Sequence, residues 1–227
     1  MNKTEQSRIA FDQQADTYDS DFHGKHAREL YPFMLELMIQ LPVRDVLDLG
    51  CGTCALMKQL YDEDCGRRFT GIDLSEGMLH IGTQVMKERA TLLLGDAANL
   101  PFADASFDLV YCNDSFHHYP DPCRVLQEVV RVLRYGGYFV IGDCTQGTVS
   151  RMLMNLFFHF QKEGDVHMYS EKEIRMLLQK QLHDVHVQRV NERSLIAWGV
   201  NDAHCLAAEI SAGHRYTGTG AGGRTPD

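Results

Sequence analysis

The sequence predicts an α/β fold in which a mostly parallel β-sheet is covered by helices on both faces. Two observations predict it. Short, continuously apolar runs alternate with segments of helical periodicity between residues 45 and 143, which is typical of parallel strands buried on both faces. Two further strand-like runs, 185–192 and 193–199, follow each other with almost nothing between them. Such a short connection permits only an antiparallel pair.

The individual elements are predicted by their periodicity and by their end signals. Residues 28–41 carry apolar side chains at helical spacing, and Pro42 ends this helix. Parallel strands are predicted at 45–49, 69–73, 90–94, 107–113 and 137–143. Further helices are predicted from about Thr53, from Ser75 and over 124–134. Gly136 and Gly137 are expected to form the turn that ends the last of these helices.

Composition excludes several classes of partner. The formal net charge of −9 and the lack of a dense basic stripe make nucleic acid a poor candidate. No segment approaches the roughly 20 uninterrupted apolar residues that a membrane span needs, so a cytoplasmic protein is expected. The seven cysteines are scattered without a repeating spacing, which favours reduced thiols over a disulfide framework. The end of the chain, 200–227, is predicted to be a flexible tail rich in glycine.

The stretch VLDLGCGTC at 46–54 contains a Cys-x-x-C, which could bind a metal, form a redox disulfide or only pack beside the turn. Zinc would require a second such pair, which the sequence lacks. A redox pair would usually have aromatic and proline neighbours, and these are missing as well. Asp48, Gly50 and Gly52 instead form D-x-G-x-G at the end of the first strand, a turn that lets a ligand approach the backbone closely. We interpret Cys51 and Cys54 as small packing residues beside that turn.

Two kinds of cofactor suit this turn. Residues 50–55, GCGTCA, also fit the G-x-G-x-x-G/A pattern of dinucleotide enzymes, and Asp73 could bind ribose hydroxyls, so an NAD(P)-dependent oxidoreductase is one alternative. Asp48, however, would repel a pyrophosphate. S-adenosylmethionine carries an ammonium and a sulfonium but no phosphate, and it matches an acidic loop better. A non-catalytic module that binds this cofactor is a further alternative.

Four motifs in order carry a family resemblance: VLDLGCGTC, GIDLSEGML, GDAANLPFADASFDLVYCN and VLQEVVRVLRYGGYFVIGD. They resemble the class I S-adenosylmethionine-dependent methyltransferases, especially those similar to the ubiquinone and menaquinone biosynthesis enzymes, over about residues 8–200. The resemblance implies a Rossmann-like sheet of seven strands in the order 3-2-1-4-5-7-6, with the 193–199 strand antiparallel. It also implies a lid segment at 1–25 and a methyltransferase domain at 26–199.

The resemblance also implies a cofactor site. Asp48 would lie near the methionine amine, Asp73 would hold the ribose hydroxyls, and Asp96 with Ala97 would read the adenine. The full set that it assigns to the cofactor is Asp48, Gly50, Cys51, Gly52, Asp73, Leu74, Met78, Asp96, Ala97 and Asn113. Each assignment has a structural rival, since Asp73 could simply end a strand and Asp96 could be a turn residue. Cys54 stands where the family usually has glycine.

A polar loop follows the fourth strand, CNDSFHHYPDPC at 112–123. Its spacing fits no zinc pattern, so no metal is expected. His117 or His118 could act as a general base for a methyl acceptor, because histidine titrates near neutrality. The other interpretations are that these residues shape the substrate pocket or only pack the loop. Methyl transfer from a sulfonium can also proceed mainly through alignment of the two reactants.

The methyl acceptor is predicted to be a small, partly apolar molecule. Residues 149–160, VSRMLMNLFFHF, are apolar on more than one face, so the segment is either a helix packed on the sheet or a cover for a partner or an apolar ligand. We expect Tyr18 of the lid, Met154 and Phe157 to enclose the acceptor. The predicted activity is methyl transfer from S-adenosylmethionine to this molecule, with no membrane span and no nucleic acid involved.

Overall fold

Seven strands form one sheet in the order β3-β2-β1-β4-β5-β7-β6 in the computed structural model, which describes residues 2–158 and 164–202. The strands are β1 Asp45–Leu49, β2 Arg68–Asp73, β3 Ala90–Leu94, β4 Phe107–Asn113, β5 Leu133–Cys144, β6 His183–Arg189 and β7 Ser194–Val200. β1 to β5 pair in parallel, and β7 pairs antiparallel with both β5 and β6. The predicted strand order and the antiparallel strand are both confirmed.

Helices cover both faces of the sheet. They are α1 Lys3–Gln14, α2 Lys25–Met38, α3 Ala55–Glu63, α4 Glu76–Met86, α5 Pro122–Val132, α6 Thr148–Phe157 and α7 Glu171–Leu178, with short 3-10 helices at Lys87–Arg89 and Phe116–His118. Successive residues of β4 point to opposite faces. Leu109 and Tyr111 pack with α2 and α3, whereas Val110 and Cys112 pack with α5 and α7. The two apolar clusters make the central strands inaccessible to water.

The prediction that Gly136 and Gly137 end a helix is wrong. α5 already ends at Val132, because Leu133 adopts an extended backbone and begins β5. Gly136 lies inside the strand with a φ of +76°, and its N–H donates to the Asn201 carbonyl oxygen at 2.8 Å. The register between β4 and β5 shifts near this point. The glycines therefore belong to an irregularity at the start of β5.

Helix α6 forms within the predicted apolar run, but it does not pack on the sheet. None of its residues is buried, and Val149, Met152, Leu153, Leu156 and Phe157 are each more than half exposed. The alternative in which this run packs on the sheet is therefore wrong. Hydrogen bonds from Arg151 to Glu173 and between Asn155 and the Met168 backbone attach the helix instead. Its apolar face points outward, which leaves the interpretation as a cover for a ligand or a partner.

The N-terminal segment is fastened over the carboxyl edge of the sheet by polar contacts. Asp12 of α1 accepts hydrogen bonds from the Ser75 hydroxyl at 2.6 Å and from the Gly77 N–H at 3.1 Å, at the start of α4. The Thr53 hydroxyl donates to Asp19 at 2.8 Å, just before α3. The segment therefore lies against the two loops that follow β1 and β2, where open parallel sheets bind ligands.

The described helices are all too short or too polar to cross a membrane. Most of the predicted glycine-rich tail, from residue 203 onward, lies outside the described residues, as do residues 159–163 of the apolar run.

Candidate active site

A cavity of about 200 Å³ lies where β1, β2, β3 and β4 end. All ten residues that the sequence analysis assigned to the cofactor line it: Asp48, Gly50, Cys51, Gly52, Asp73, Leu74, Met78, Asp96, Ala97 and Asn113. Tyr18 and His118 line it too. The parallel order of the strands brings these residues together, because each follows or ends a strand at the same edge of the sheet.

The turn after β1 needs glycine at Gly50. Its φ is +77°, which lets its N–H donate to the Ile72 carbonyl oxygen at 2.9 Å and ties the turn to β2. A Cβ at this position would lie 2.3 Å from the Ser115 hydroxyl oxygen. Gly52 also has a positive φ, of +52°, but a Cβ there would meet nothing within 4 Å. The turn is therefore closely packed at Gly50 and open at Gly52.

Asp48 is buried, and within the described part of the chain its only hydrogen bond from a side chain comes from the Tyr111 hydroxyl, which donates to Oδ2 at 2.7 Å. Burial raises the pKa of Asp48 to about 7, although the Tyr111 hydrogen bond opposes this shift. The carboxyl group of Asp48 therefore titrates near neutral pH. A cation bound beside it would favour the ionised form and lower its pKa.

Asp73 joins two of the loops that line the cavity. Its Oδ2 accepts from the Gly52 N–H at 2.8 Å, and its Oδ1 accepts from the Ser75 N–H at 2.9 Å. Burial nevertheless raises the pKa of Asp73 above its usual range. The Ser75 hydroxyl caps α4 by accepting from the Met78 N–H. Asp73 therefore is a strand-end residue before a capped helix, as its structural interpretation held, and it also lines the cavity.

Asp96 follows β3 as a turn residue, as its structural interpretation also held. Its Oδ1 accepts from the Ala98 N–H at 2.9 Å, which is a typical local turn contact of aspartate. Asp96 is exposed and Ala97 is buried. Both line the cavity, so the turn presents one polar and one apolar residue to it.

The two cysteines of the Cys-x-x-C are buried beside the turn. The pKa of Cys51 is raised well above its usual range, because its thiol hydrogen-bonds with Cys54 and is buried. Redox and metal-binding cysteines have a lowered pKa instead, so this geometry fits the interpretation of packing residues. Cys54 has a φ of +62°, which is the left-handed conformation that favours glycine. The backbone thus keeps the shape of a glycine turn although the residue differs.

A second cavity of about 120 Å³ lies beside the first. Phe11, Tyr18, Asp114 and His118 line both cavities. The remaining residues around the second cavity are Ala10, Gln14, His23, His117 and Asp165. This second cavity is therefore more polar than the first, and it is closed by α1 on one side.

The paired histidines differ in their surroundings. His117 Nδ1 lies 2.6 Å from Asp143 Oδ1. Burial opposes a charge on His117, but Cys144 and the Asp143 carboxylate raise its pKa well above the usual range. Burial and the charge of His117 lower the pKa of His118 to about 4. The His118 ring also packs edge-on against Phe11 with ring centroids 5.0 Å apart, so it stands as a neutral group between the two cavities.

Asp114 and His26 form a pair that sequence reasoning missed. His26 Nδ1 lies 2.7 Å from Asp114 Oδ1, and its Nε2 lies 2.9 Å from the Ser194 hydroxyl oxygen. Burial would lower the pKa of His26, but the Asp114 carboxylate raises it. The two residues are 88 positions apart. No local signal links them, because α2 meets the end of β4 only in the folded chain.

Met154 and Phe157 are not among the described residues that line either cavity. Phe157 is 58% exposed on the outer face of α6. Asn155, between them, fixes the helix by bonding to the backbone of Met168. The structure thus places Tyr18 at both cavities, and it places these two residues elsewhere.

The sheet and the cavity define a Rossmann-like protein of the methyltransferase type. The strand order of dinucleotide-binding folds is 3-2-1-4-5-6, whereas here an antiparallel strand is inserted between β5 and β6. An acidic residue two positions before the glycine turn also sets this cavity apart from a pyrophosphate site.

Comparison with known proteins agrees with this class. A family profile described as "Methyltransferase domain" matches residues 47–141. A demethylmenaquinone methyltransferase of Listeria welshimeri is 30% identical over 177 residues, covering 70% of this chain and 73% of the relative. One of Thermotoga maritima is 32% identical over 146 residues, which is 60% of this chain but only 63% of that relative's length.

A solved structure from Thermotoga maritima has a similar fold. It is described as an S-adenosylmethionine-dependent methyltransferase, possibly a histamine N-methyltransferase. The TM-score is 0.66 at 21% identity, and the match covers 86% of this chain and 99% of that one. The chain belongs to the S-adenosylmethionine-dependent methyltransferases. The family confirms the predicted enzyme class and cofactor, and the NAD(P)-dependent oxidoreductase is set aside.

Proposed function

We propose that S-adenosylmethionine binds in the larger cavity and that its methyl group is transferred to a small, partly apolar acceptor whose reacting group enters the second cavity. The observation that carries this proposal is that the two cavities lie side by side and share Phe11, Tyr18, Asp114 and His118. A cofactor and an acceptor held on the two sides of this boundary can be aligned for direct transfer.

The charges and backbone of the larger cavity support the placement of the cofactor. Asp48 would receive the ammonium group, and the open surface over Gly52 would let the methionine part approach the backbone. Asp73 would accept hydrogen bonds from the ribose hydroxyls. Asp96 and Ala97 would contact the adenine, with Leu74, Met78 and Asn113 completing the walls. The N-terminal segment would act as a lid, with Tyr18 facing the methyl group.

Two observations support a partly apolar acceptor. The similar proteins of Listeria and Thermotoga are named for demethylmenaquinone, a quinone. Helix α6 presents an outward apolar face that begins only five residues after Cys144, at the end of β5. The second cavity itself is polar, so it suits the reacting end of such a molecule. His118 would contact that end, because it lies on the boundary between the two cavities.

The Asp48 assignment predicts a pH dependence of cofactor binding. The pKa of Asp48 is about 7 without a ligand, and the cofactor's ammonium requires the ionised form. Affinity for S-adenosylmethionine should therefore rise with pH, by about tenfold between about pH 5.5 and about pH 7. Isothermal titration calorimetry over this range measures it. The Asp48→Asn variant should bind more weakly at pH 7 and show a flatter profile. An equally steep profile in that variant would assign the titration to another group.

The proposed activity is tested by the release of S-adenosylhomocysteine from a panel of acceptors. The panel contains reduced demethylmenaquinone and its short-chain analogues, simple phenols, small amines, a nucleic acid and a protein substrate. We expect release with at least one partly apolar small molecule, with methylated product formed in equal amount. Turnover should fall in the His118→Ala variant, while calorimetry shows that cofactor binding is retained.

His186→Ala is the matched control for this variant, because His186 is a half-exposed histidine stacked on Trp198 in the sheet. It should leave turnover unchanged. Activity only with nucleic acid or protein would contradict the proposal. The proposed cofactor would be wrong if a nicotinamide cofactor raised the melting temperature and S-adenosylmethionine did not.

A further inference from the structure

Three potential metal ligands meet at the second cavity from two separate segments of the chain. Asp165 Oδ1 lies 3.6 Å from His117 Nε2 and 3.3 Å from His118 Nδ1. All three atoms lie within 4.8 Å of one another. In a tetrahedral zinc site with bonds of 2.0–2.1 Å, neighbouring ligand atoms are about 3.4 Å apart. The spacing of these atoms therefore suits one ion held between them.

One ring nitrogen needed for such an ion takes part in no hydrogen bond among the described residues. His118 Nδ1 is buried and has no hydrogen-bond partner among the described residues. A buried polar atom of this kind usually has a partner. The nearby Asp165 oxygen does not supply one, so the nitrogen faces a gap that a cation would fill.

The second ring nitrogen of His117, Nδ1, contacts a carboxylate, as the second ring nitrogen of a metal-binding histidine usually does. Its Nδ1 lies 2.6 Å from Asp143 Oδ1, and donation along this contact orients Nε2 toward the second cavity. Histidines that bind metals usually donate their other ring N–H to a carboxylate in this way. Asp143 is itself fixed, because the Cys144 N–H donates to the same oxygen at 2.7 Å.

The backbone holds Asp165 beside the histidines. The N–H groups of Val166 and His167 both donate to the His117 carbonyl oxygen, at 3.0 and 3.1 Å. These two bonds attach the segment that carries Asp165 directly to the 3-10 helix that carries both histidines. The third side chain therefore has a fixed position relative to the first two.

A second group of potential ligands, Asp114, His117, Asp143 and Cys144, is less suitable. One oxygen of each carboxylate already has a partner, because Asp114 Oδ1 bonds to His26 and Asp143 Oδ1 bonds to His117. Asp143 Oδ2 is buried and has no hydrogen-bond partner among the described residues. An ion bound by His117 Nδ1 would have to displace its 2.6 Å contact with Asp143. The residues of this second group instead orient His117 for the first group.

We propose that His117, His118 and Asp165 bind one divalent transition-metal ion, with the geometry suiting Zn²⁺, and that its open position faces the second cavity. Two imidazoles and one carboxylate are suitable ligands for such an ion. An acceptor oxygen or nitrogen would occupy the open position, and this last step rests on the proposed function. The expectation of no metal weighed the Cys-x-x-C at 51–54 and the loop at 112–123, and neither segment includes Asp165.

The test titrates metal-free full-length protein with Co²⁺ and follows its visible absorption and its heat of binding. We expect one equivalent to bind with a four-coordinate spectrum of nitrogen and oxygen ligands. Thiolate ligands would add a charge-transfer band and reveal binding by the cysteines instead. Asp165→Asn and His118→Ala should each weaken binding by about 100-fold or more, and Asp143→Asn by about 10- to 100-fold, through the orientation of His117.

The matched control is the double variant Asp184→Asn/His186→Ala, which removes an exposed His–Asp pair with a 2.9 Å contact. It should bind Co²⁺ like the unmodified protein. No uptake by the unmodified protein, a thiolate spectrum, or unchanged binding by Asp165→Asn would overturn the proposal. If Asp165→Asn does not fold, the ligand spectrum of the unmodified protein decides. S-adenosylhomocysteine formation by a metal-free sample would leave the proposed function standing and refute only the metal's part in catalysis.

Discussion

Replacing Asp73 with alanine is expected to weaken S-adenosylmethionine binding by about 2–4 kcal/mol, which is about 30- to 1000-fold. The proposed ribose contacts are charge-assisted hydrogen bonds, and the variant loses them. It also removes the acceptor of the Gly52 N–H, so the turn that faces the cofactor loses one of its hydrogen bonds to β2. Calorimetry of both proteins at one fixed pH gives the affinity.

Asp62→Ala serves as the control for this variant. Asp62 is an exposed carboxylate that pairs with Lys58 on α3, and its removal changes charge without touching the cavity. It should alter the affinity less than twofold. Asp73→Asn should fall between the two, because one amide oxygen can still accept a bond. Normal affinity of Asp73→Ala would refute the ribose assignment.

The second large effect is expected from Gly50→Ala, which should lower the free energy of unfolding by about 2–5 kcal/mol. A left-handed backbone costs a residue with a Cβ about 1–2 kcal/mol. The new Cβ would also lie 2.3 Å from the Ser115 hydroxyl oxygen, and overpacking typically costs about 1–3 kcal/mol more. Urea unfolding followed by circular dichroism measures the change.

Gly136→Ala separates the two costs. Gly136 has nearly the same φ, +76°, but a Cβ there would meet nothing within 4 Å. Only the backbone cost of about 1–2 kcal/mol should remain. Adding Ser115→Gly to Gly50→Ala should recover part of the difference. Equal destabilisation by Gly50→Ala and Gly136→Ala would show that the contact with Ser115 does not limit this turn.

Much of the fold could be predicted, because parallel strands buried on both faces produce apolar runs that need no knowledge of their neighbours. β7 is an example: its short link to β6 forces an antiparallel pair. The errors have tertiary causes. Gly136 has the sequence signature of a helix end, but it lies in β5 because its N–H bonds to Asn201, just after β7. Helix α6 has a core-like sequence, and only its place in the connection shows that its apolar face is exposed.

The candidate site likewise has residues that the sequence could place and contacts that it could not. Asp48, Asp73 and Asn113 lie at the carboxyl ends of β1, β2 and β4, so a parallel order alone places them at one edge. Contacts such as His26–Asp114 and His118–Asp165 join segments that are far apart in the sequence. Their geometry depends on how α1, α2 and the segment after α6 pack over that edge. Neither periodicity nor a local motif contains this information.

Helix α1 has a consequence for the order of events in turnover. Phe11 lines both cavities, and the same helix is bound to the start of α4 through Asp12. On the proposed function, one rigid wall serves both substrates, and moving it opens both compartments together. Such an enzyme is expected to follow a sequential kinetic scheme, in which the cofactor and the acceptor are both bound before either product leaves. The movement of α1, rather than the transfer of the methyl group, would then limit turnover.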